Sequence, residues 1–430
     1  MIKRLLLSAG VLLFSVAAVP LHAQEPARLT LAAAEKLAVK NNPRLSEAVL
    51  TAAASLQVPI EFRSAYLPTV AGKAAGVLSD SGTRLAAEGL NSPRVYNHFG
   101  AGVTLNQMIT DFGRTGNLVD MAKLRADAQN QVAEQTRADI LLVTGQTYFA
   151  VLRAQAVVEV ARQTVAARQL VSDQVTALAR SNLKSTLDVS FANVNLADAK
   201  LLLLQAENTL KSAQAQLAAV LAVPGDTTFV LAEEPSPAPL SGTADDLIRE
   251  ALQDRPEIKG LHLEQSAAEK FVRAEHALNY PNLGILGAAG FVPAGEPQIP
   301  GRYGAIGFNL NIPIFNGFLF KARESEAELK AQSTHQRVND LEIQVARDVR
   351  VACLNDKTAY ERVGLTEQLL KQAQMALDLA QSRYSFGLSS IVELSQAELN
   401  LTSAQIAFVG ARYDYQAQRL NVDFQIGALR

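Results

Sequence analysis

Residues 189–220 read VSFANVNLADAKLLLLQAENTLKSAQAQLAAV, and residues 394–425 read LSQAELNLTSAQIAFVGARYDYQAQRLNVDFQ. In the first stretch Val189, Leu196, Leu203, Leu210 and Leu217 recur every seven residues, with Ala192, Ala199, Ala206, Ala213 and Val220 interleaved. In the second the series is Leu394, Leu401, Phe408, Tyr415 and Val422, interleaved with Ala397, Ala404, Ala411, Gln418 and Gln425. A strict seven-residue repeat keeps its stripe facing a partner only if the helices supercoil. Alanine lets the backbones come close, and the large residues fill the gaps. The partners precede these stretches: Val151, Ala154, Val158, Ala161 and Val165 in one case, and Val363, Thr366, Leu370, Ala373, Leu377 and Ala380 in the other.

The partner helices are long. Residues 117–180 contain one glycine, Gly145, and no proline, and residues 318–386 contain only Gly364. At about 1.5 Å per residue, each rod extends about 95 Å. Such a rod has to pair with others along its length. The turns into the return helices are short. Gly387 is a C-cap signal, and Ser389 or Ser390 can N-cap the second return helix, with Glu393 in its first turn. In the first copy Asn182 takes the glycine position and Asp188 stands where Glu393 stands.

The chain is written twice. Asn42-Pro43-Arg44-Leu45 is echoed by Arg255-Pro256-Glu257-Ile258, and Tyr66-Leu67-Pro68 by Tyr280-Pro281-Asn282. Ile109-Thr110-Asp111-Phe112-Gly113 corresponds to Ile314-Phe315-Asn316-Gly317, and Ala192 to Leu196 corresponds to Ala397 to Leu401. The period, about 205–214 residues, is far too long for a solenoid unit, so two copies of one large unit are fused in tandem. Each copy opens with a helical stretch, about residues 29–57 and 243–276. Strand-like segments follow. Phe99, Ala101, Val103 and Leu105 alternate with small or polar residues, as do Ile306, Phe308, Leu310 and Ile312. Alternation of this kind suits a lipid-facing barrel strand, and equally a half-buried strand of a soluble sandwich. Polar loops, Ser79 through Pro93 and Pro293 through Gly301, connect the strands and are expected to be long.

Lys3 and Arg4, an apolar run from Leu5 to Val19, Pro20 and a small residue at Ala23 read as a cleavable secretory signal. The expected layout is signal peptide 1–23, first repeat 24–222, a linker of Pro, Gly, Ser and acids at 223–243, and second repeat 244–430. After the leader no stretch resembles a transmembrane helix, so membrane insertion requires a closed β-barrel. The chain is 48% hydrophobic and 19% charged with net charge −2, which gives no basic excess for nucleic acid. Its single cysteine, Cys353, excludes an internal disulfide and reads as a packed residue. His98, His262, His276 and His335 lack ligand spacing. No catalytic set, phosphate loop or dinucleotide fingerprint is present, so neither an enzyme nor a cofactor is expected.

In the order of these motifs, twice over, the sequence resembles the TolC-type outer membrane efflux family, the outer membrane factors. The markers are the Asn-Pro and Arg-Pro helix ends, the Asp111-Phe112-Gly113 and Pro313-Ile314-Phe315-Asn316-Gly317 strand exits, and Tyr384-x-x-Gly387. The resemblance implies a mainly α fold with membrane β-strands. Tandem-duplicated helical hairpins would form a trimeric α-barrel tunnel topped by a shared 12-stranded β-barrel. It implies a passive exit duct from periplasm to exterior in a tripartite efflux or type I secretion system. The location implied is the outer membrane of a Gram-negative bacterium, with a long periplasmic portion. The implied partners are two further copies of the chain, a periplasmic membrane-fusion adaptor, an inner membrane pump reached through it, and outer membrane lipid. The tip residues Arg180, Asn182, Arg383, Tyr384, Gly387 and Leu388 become adaptor-docking candidates, with Tyr384 expected on the surface. The family position at Glu393 lines the entrance constriction, so Asp188, Glu393 and Gln396 become gate candidates, Gln396 replacing a second acid. The first copy departs from the pattern by lacking the tip glycine and aromatic, with Asn182 and Ala179 in their places. A periplasmic coiled-coil adaptor would share the signal and the long helices, but it would not need two strand pairs.

Overall fold

The computed structural model describes residues 28–80, 95–224 and 228–429. The expected signal peptide and much of the 79–93 loop lie outside the described residues. The first unit comprises α1 (Leu31–Asn41), α2 (Pro43–Ser55), α3 (Val58–Arg63), β1 (Thr69–Val77), β2 (His98–Thr110), α4 (Arg114–Arg180) and α5 (Thr186–Val220). The second comprises α6 (Ala244–Asp254), α7 (Pro256–His276), β3 (Asn282–Gly295), β4 (Arg302–Asn311), α8 (Leu319–Ser385) and α9 (Ile391–Gln425). Asn42 ends α1 and caps α2, its side chain accepting from the Arg44 N–H, with Pro43 as the first helical residue. Proline is tolerated there because that N–H has no helical acceptor.

Both long helices begin at a backbone reversal. Phe112 and Gly113 have φ of 54° and 95°, and Gly317 and Phe318 have φ of 64° and 65°. Two successive left-handed residues turn the chain from strand to helix. In the first copy the Asp111 carboxylate accepts from the Gly113 and Thr115 N–H groups at 3.2 and 2.7 Å, replacing a side-chain cap that Gly113 cannot supply. The helices α4 and α8 have 67 residues each, so each runs about 100 Å. Near the strands α7 packs between α4 and α8, with α2 and α3 also against α4; farther out α5 pairs with α4, α9 with α8, and α4 with α9. The seams hold as read. Val151, Ala154, Val158 and Ala161 are buried, as are Ala192, Leu196, Ala199, Ala206, Ala213 and Leu217 on α5. Thr366, Ala373, Ala380, Leu394, Ala397, Ala404 and Ala411 are buried in the second copy.

The four strands form one antiparallel sheet in the order β1-β2-β3-β4, so the two copies join edge to edge through β2 and β3. Its large apolar residues are the uncovered ones: Ile306 is 82% and Phe308 81% exposed, and Phe99, Val103, Leu105 and Leu310 are exposed on the same face. A soluble sandwich would bury that face, so the exposure decides the alternative the alternation left open. Two expectations are corrected. Residues 293–295 belong to β3, so the second loop shortens to residues 296–301. One 18-residue window of α4 is long and apolar enough to cross a bilayer, but half of it is buried against the chain's own helices.

The inter-repeat segment does not hang free. Leu29 and residues 230–232 exchange backbone hydrogen bonds, and the Tyr148 hydroxyl sits 2.9 and 2.7 Å from the Leu29 and Ala232 carbonyl oxygens. Tyr413 donates to Glu233 at 2.7 Å, and Gln416 donates to the Glu234 carbonyl at 3.0 Å. A proline-rich strap with little backbone ladder beyond its bridge to Leu29 is thereby pinned across α4 and α9 by their phenols and amide.

Candidate functional site

The two hairpin tips share one construction. At the end of α4 Asn182 has φ 59°, and the Leu183 N–H reaches back to the Leu178 carbonyl at 2.9 Å. At the end of α8 Gly387 has φ 71°, and the Leu388 N–H reaches the Arg383 carbonyl at 2.8 Å. Both are helix-terminating loops closed by a six-to-one hydrogen bond through a left-handed residue. Ser185 and Ser390 cap the return helices.

The first-turn acids then diverge. Asp188 closes a capping box: its Oδ2 accepts from the Ser185 N–H and hydroxyl at 3.0 and 2.9 Å, while its own N–H donates to Ser185 Oγ. Those hydrogen bonds, backbone first, hold its carboxyl below the usual aspartate range. Glu393 makes no such box and pairs with Arg383 at 3.4 Å. Gln396 donates to Asn400 at 3.0 Å, one turn along its own helix.

Tyr384 is not on the surface as expected. Its ring is half-buried against Val175, Ala192, Ile391 and Leu394, and Lys184 from the other hairpin lies 4.1 Å from the ring centroid. The tyrosine therefore joins the two tips by packing and a cation–π contact. Arg180, Asn182, Arg383, Gly387 and Leu388 are exposed. So are Leu183 at 69% and Phe386 at 79%, which with Leu388 at 70% make an apolar tip surface that motif reading passed over.

Above the tip the hairpins share a polar layer also missed in the sequence. Arg168 of α4 pairs with Glu398 of α9 at 3.8 Å, both almost fully buried, and burial pushes the Glu398 carboxyl up while Arg168 opposes it. Ser172 donates to Asn193 at 2.9 Å, and Asn195 to Ser395 at 2.6 Å. The signal was present, since 165, 168, 172 and 175 continue the three-and-four spacing of the α4 seam. Cys353 is partly buried, its thiol pushed up by burial and then by Asp356, which makes it a poor nucleophile. Among the described residues no cluster of His, Cys, Asp or Glu could hold a metal ion.

The family model for "Outer membrane efflux protein" matches residues 35–223 and again 247–428. The chain is 25% identical to the outer membrane protein TolC of Escherichia coli K12 over 406 residues, covering 90% of this chain and 80% of that protein. It is 25% identical over 325 residues to the outer membrane efflux protein BepC of Brucella suis, covering 73% and 68%. In fold it is similar to the Campylobacter jejuni CmeC outer membrane channel, with TM-score 0.79, 19% identity and coverage of 92% and 85%. It is likewise similar to VceC of Vibrio cholerae, with TM-score 0.78, 19% identity and coverage of 92% and 96%. With a doubled family match over nearly the whole described chain, a lipid-facing sheet and paired helical hairpins, this chain belongs to the outer membrane efflux protein family and is an outer membrane efflux channel.

Proposed function

We propose that three copies of the chain close into one tube, a shared 12-stranded barrel in the outer membrane above a helical tunnel in the periplasm. One observation carries this: the chain has open edges at both levels. Among the described residues β1 pairs only with β2 and β4 only with β3. In the outer half of the helical layer the end elements are α5 and α8, which leave Leu187, Val194, Leu201 and Leu204, and Leu354, Leu365 and Leu379, exposed. Four strands are too few to close a barrel, and an open edge in lipid leaves backbone groups unsatisfied. Cyclic assembly joins β4 to β1 and α8 to α5 of successive copies in one operation. A periplasmic adaptor would have no use for a face carrying exposed Ile306 and Phe308. The number three follows the family resemblance.

In this reading residues 24–222 and 244–430 are the two fused units, 223–243 their strap, and 1–23 a cleaved leader. The Arg180–Asn182 and Arg383–Leu388 tips form the periplasmic entrance and receive a membrane-fusion adaptor, which links the duct to an inner membrane pump. Asp188 and Glu393, three of each, charge the narrow end and hold it cation-attracting. The assembly is tested by light scattering in mild detergent. A stable trimer is expected, and a well-folded monomer would sink the tunnel reading.

A further inference from the structure

In the strand ladder Lys73 of β1 stands opposite Gly102 of β2, Gly102 opposite Gly290 of β3, and Gly290 opposite Tyr303 of β4. Residues directly opposite one another share a face of the sheet. A Cβ built on Gly102 or on Gly290 would overlap the Tyr303 phenol. The ring of Tyr303 therefore lies across both glycines, and its hydroxyl ends over Gly102, beside the strand that carries Lys73. The other face of the same sheet presents Phe99, Val103, Leu105, Ile306, Phe308 and Leu310. That face meets lipid, so Lys73 and Tyr303 face the lumen. Among the described strand residues on the lumen face, Lys73 is the only Lys, Arg, Asp or Glu. The wall around it is mostly Gly, Ala, Thr and Asn with a few aliphatic residues, and among the described strand residues no acid shares this face.

We propose that Lys73, with the Tyr303 hydroxyl beside it as a hydrogen-bond donor, forms an anion-attracting ring inside the barrel. The ring rests on the trimeric reading, which repeats Lys73 three times at one height. Lys73 lies four residues into β1, about 13 Å from the strand's periplasmic end. Twelve strands spaced about 4.8 Å apart and tilted about 40° enclose a backbone bore of about 24 Å. The screening length is about 30 Å at 0.01 M salt, about 8 Å at 0.15 M and about 3 Å at 1 M. The three ammonium groups therefore act across the whole bore at low salt, only along the wall at physiological salt, and hardly at all at 1 M. The ring then lies at the opposite end of the duct from Asp188 and Glu393. Solutes bearing phosphate or carboxylate groups gather at the exit.

Planar-bilayer recording on the full-length trimer tests this, with sodium tripolyphosphate added on the barrel side at 0.01 M KCl. The polyanion is expected to lower the conductance of the wild type and of Lys73→Arg. Lys73→Gln should need about tenfold more for the same block, the lower end of the range by which a charged cleft concentrates counter-ions. Tyr303→Phe, which keeps the ring on the glycines and removes the donor, should fall between, and the block should vanish at 1 M KCl. Lys73 is exposed, and trimer yield in detergent checks that each variant assembles. Equal block in wild type and Lys73→Gln overturns the ring. Wild-type protein that gives no channel steps overturns instead the trimeric reading on which the ring depends.

Discussion

Asp188 and Glu393 stand at the same step of two return helices, and the chain binds them differently. Asp188 is held by Ser185, whereas Glu393 is held by Arg383. In the proposed trimer each would recur three times near the narrow end, where converging like charges attract cations. The double variant Asp188→Asn, Glu393→Gln is therefore expected to lower cation selectivity, and block by multivalent cations from the tip side, with assembly intact. Unchanged reversal potentials in the double variant would leave both acids as helix caps only. The pH dependence has a definite sign. Hydrogen bonds that lower the Asp188 carboxyl favour its charged form. Its charge, and the stabilisation that goes with it, is complete above the ordinary aspartate range and is lost only as pH falls through the lowered value. Ser185→Ala removes the hydroxyl donor, so the pH at which this selectivity fades should move upward, as read from reversal potentials over an acid series.

The tip of α8 and α9 separates local fold from docking. Gly387 has φ 71° with nothing within 4 Å of where a Cβ would stand, so Gly387→Ala meets no clash and costs only left-handed backbone strain. That strain is about 1–2 kcal/mol for a residue with a Cβ, spent at an exposed turn far from the long seams. Trimer yield is expected to stay the same while cross-linking to the adaptor weakens. Normal adaptor capture and normal drug tolerance in this variant would remove the docking role. Tyr384→Ala is a weaker probe than motif reading suggested, because the ring also packs on Val175 and Ile391 and carries Lys184. Tyr384→Phe keeps that packing, and the tyrosine hydroxyl it removes has no hydrogen-bond partner among the described residues. It is expected to assemble normally.

Across the whole molecule the unpartnered faces predict where assembly is vulnerable. Leu365 and Leu379 of α8 are 66% and 62% exposed in the single chain. Leu365→Asp with Leu379→Asp should leave helix content by circular dichroism unchanged and abolish the trimer in detergent, since two charges buried between copies go unpaired. A normal trimer from this variant would place the contact between copies elsewhere. The equivalent change at Leu394, 3% exposed, should instead damage the hairpin itself.

The sequence by itself determined the elements. Heptads, capping serines and the left-handed residues at Asn182 and Gly387 are relations between residues within a turn or two, and local geometry follows directly from local chemistry. The duplication was equally legible, because it is a comparison of the sequence with itself. Only the tertiary structure decided which face of the sheet is uncovered, for the alternation at Ile306, Phe308 and Leu310 reads the same against lipid as against a second sheet. It likewise decided that β2 pairs with β3, that Lys184 lies over Tyr384, that Arg168 meets Glu398, and that Tyr303 crosses Gly102 and Gly290 to end beside the Lys73 strand. Apart from Tyr303 on Gly290, thirteen positions away, each of those contacts joins residues about 170 to 230 positions apart. They depend on how two supercoiled hairpins and two strand pairs are set against one another, and that placement is fixed by the packing of all their seams together, which no single window of sequence contains.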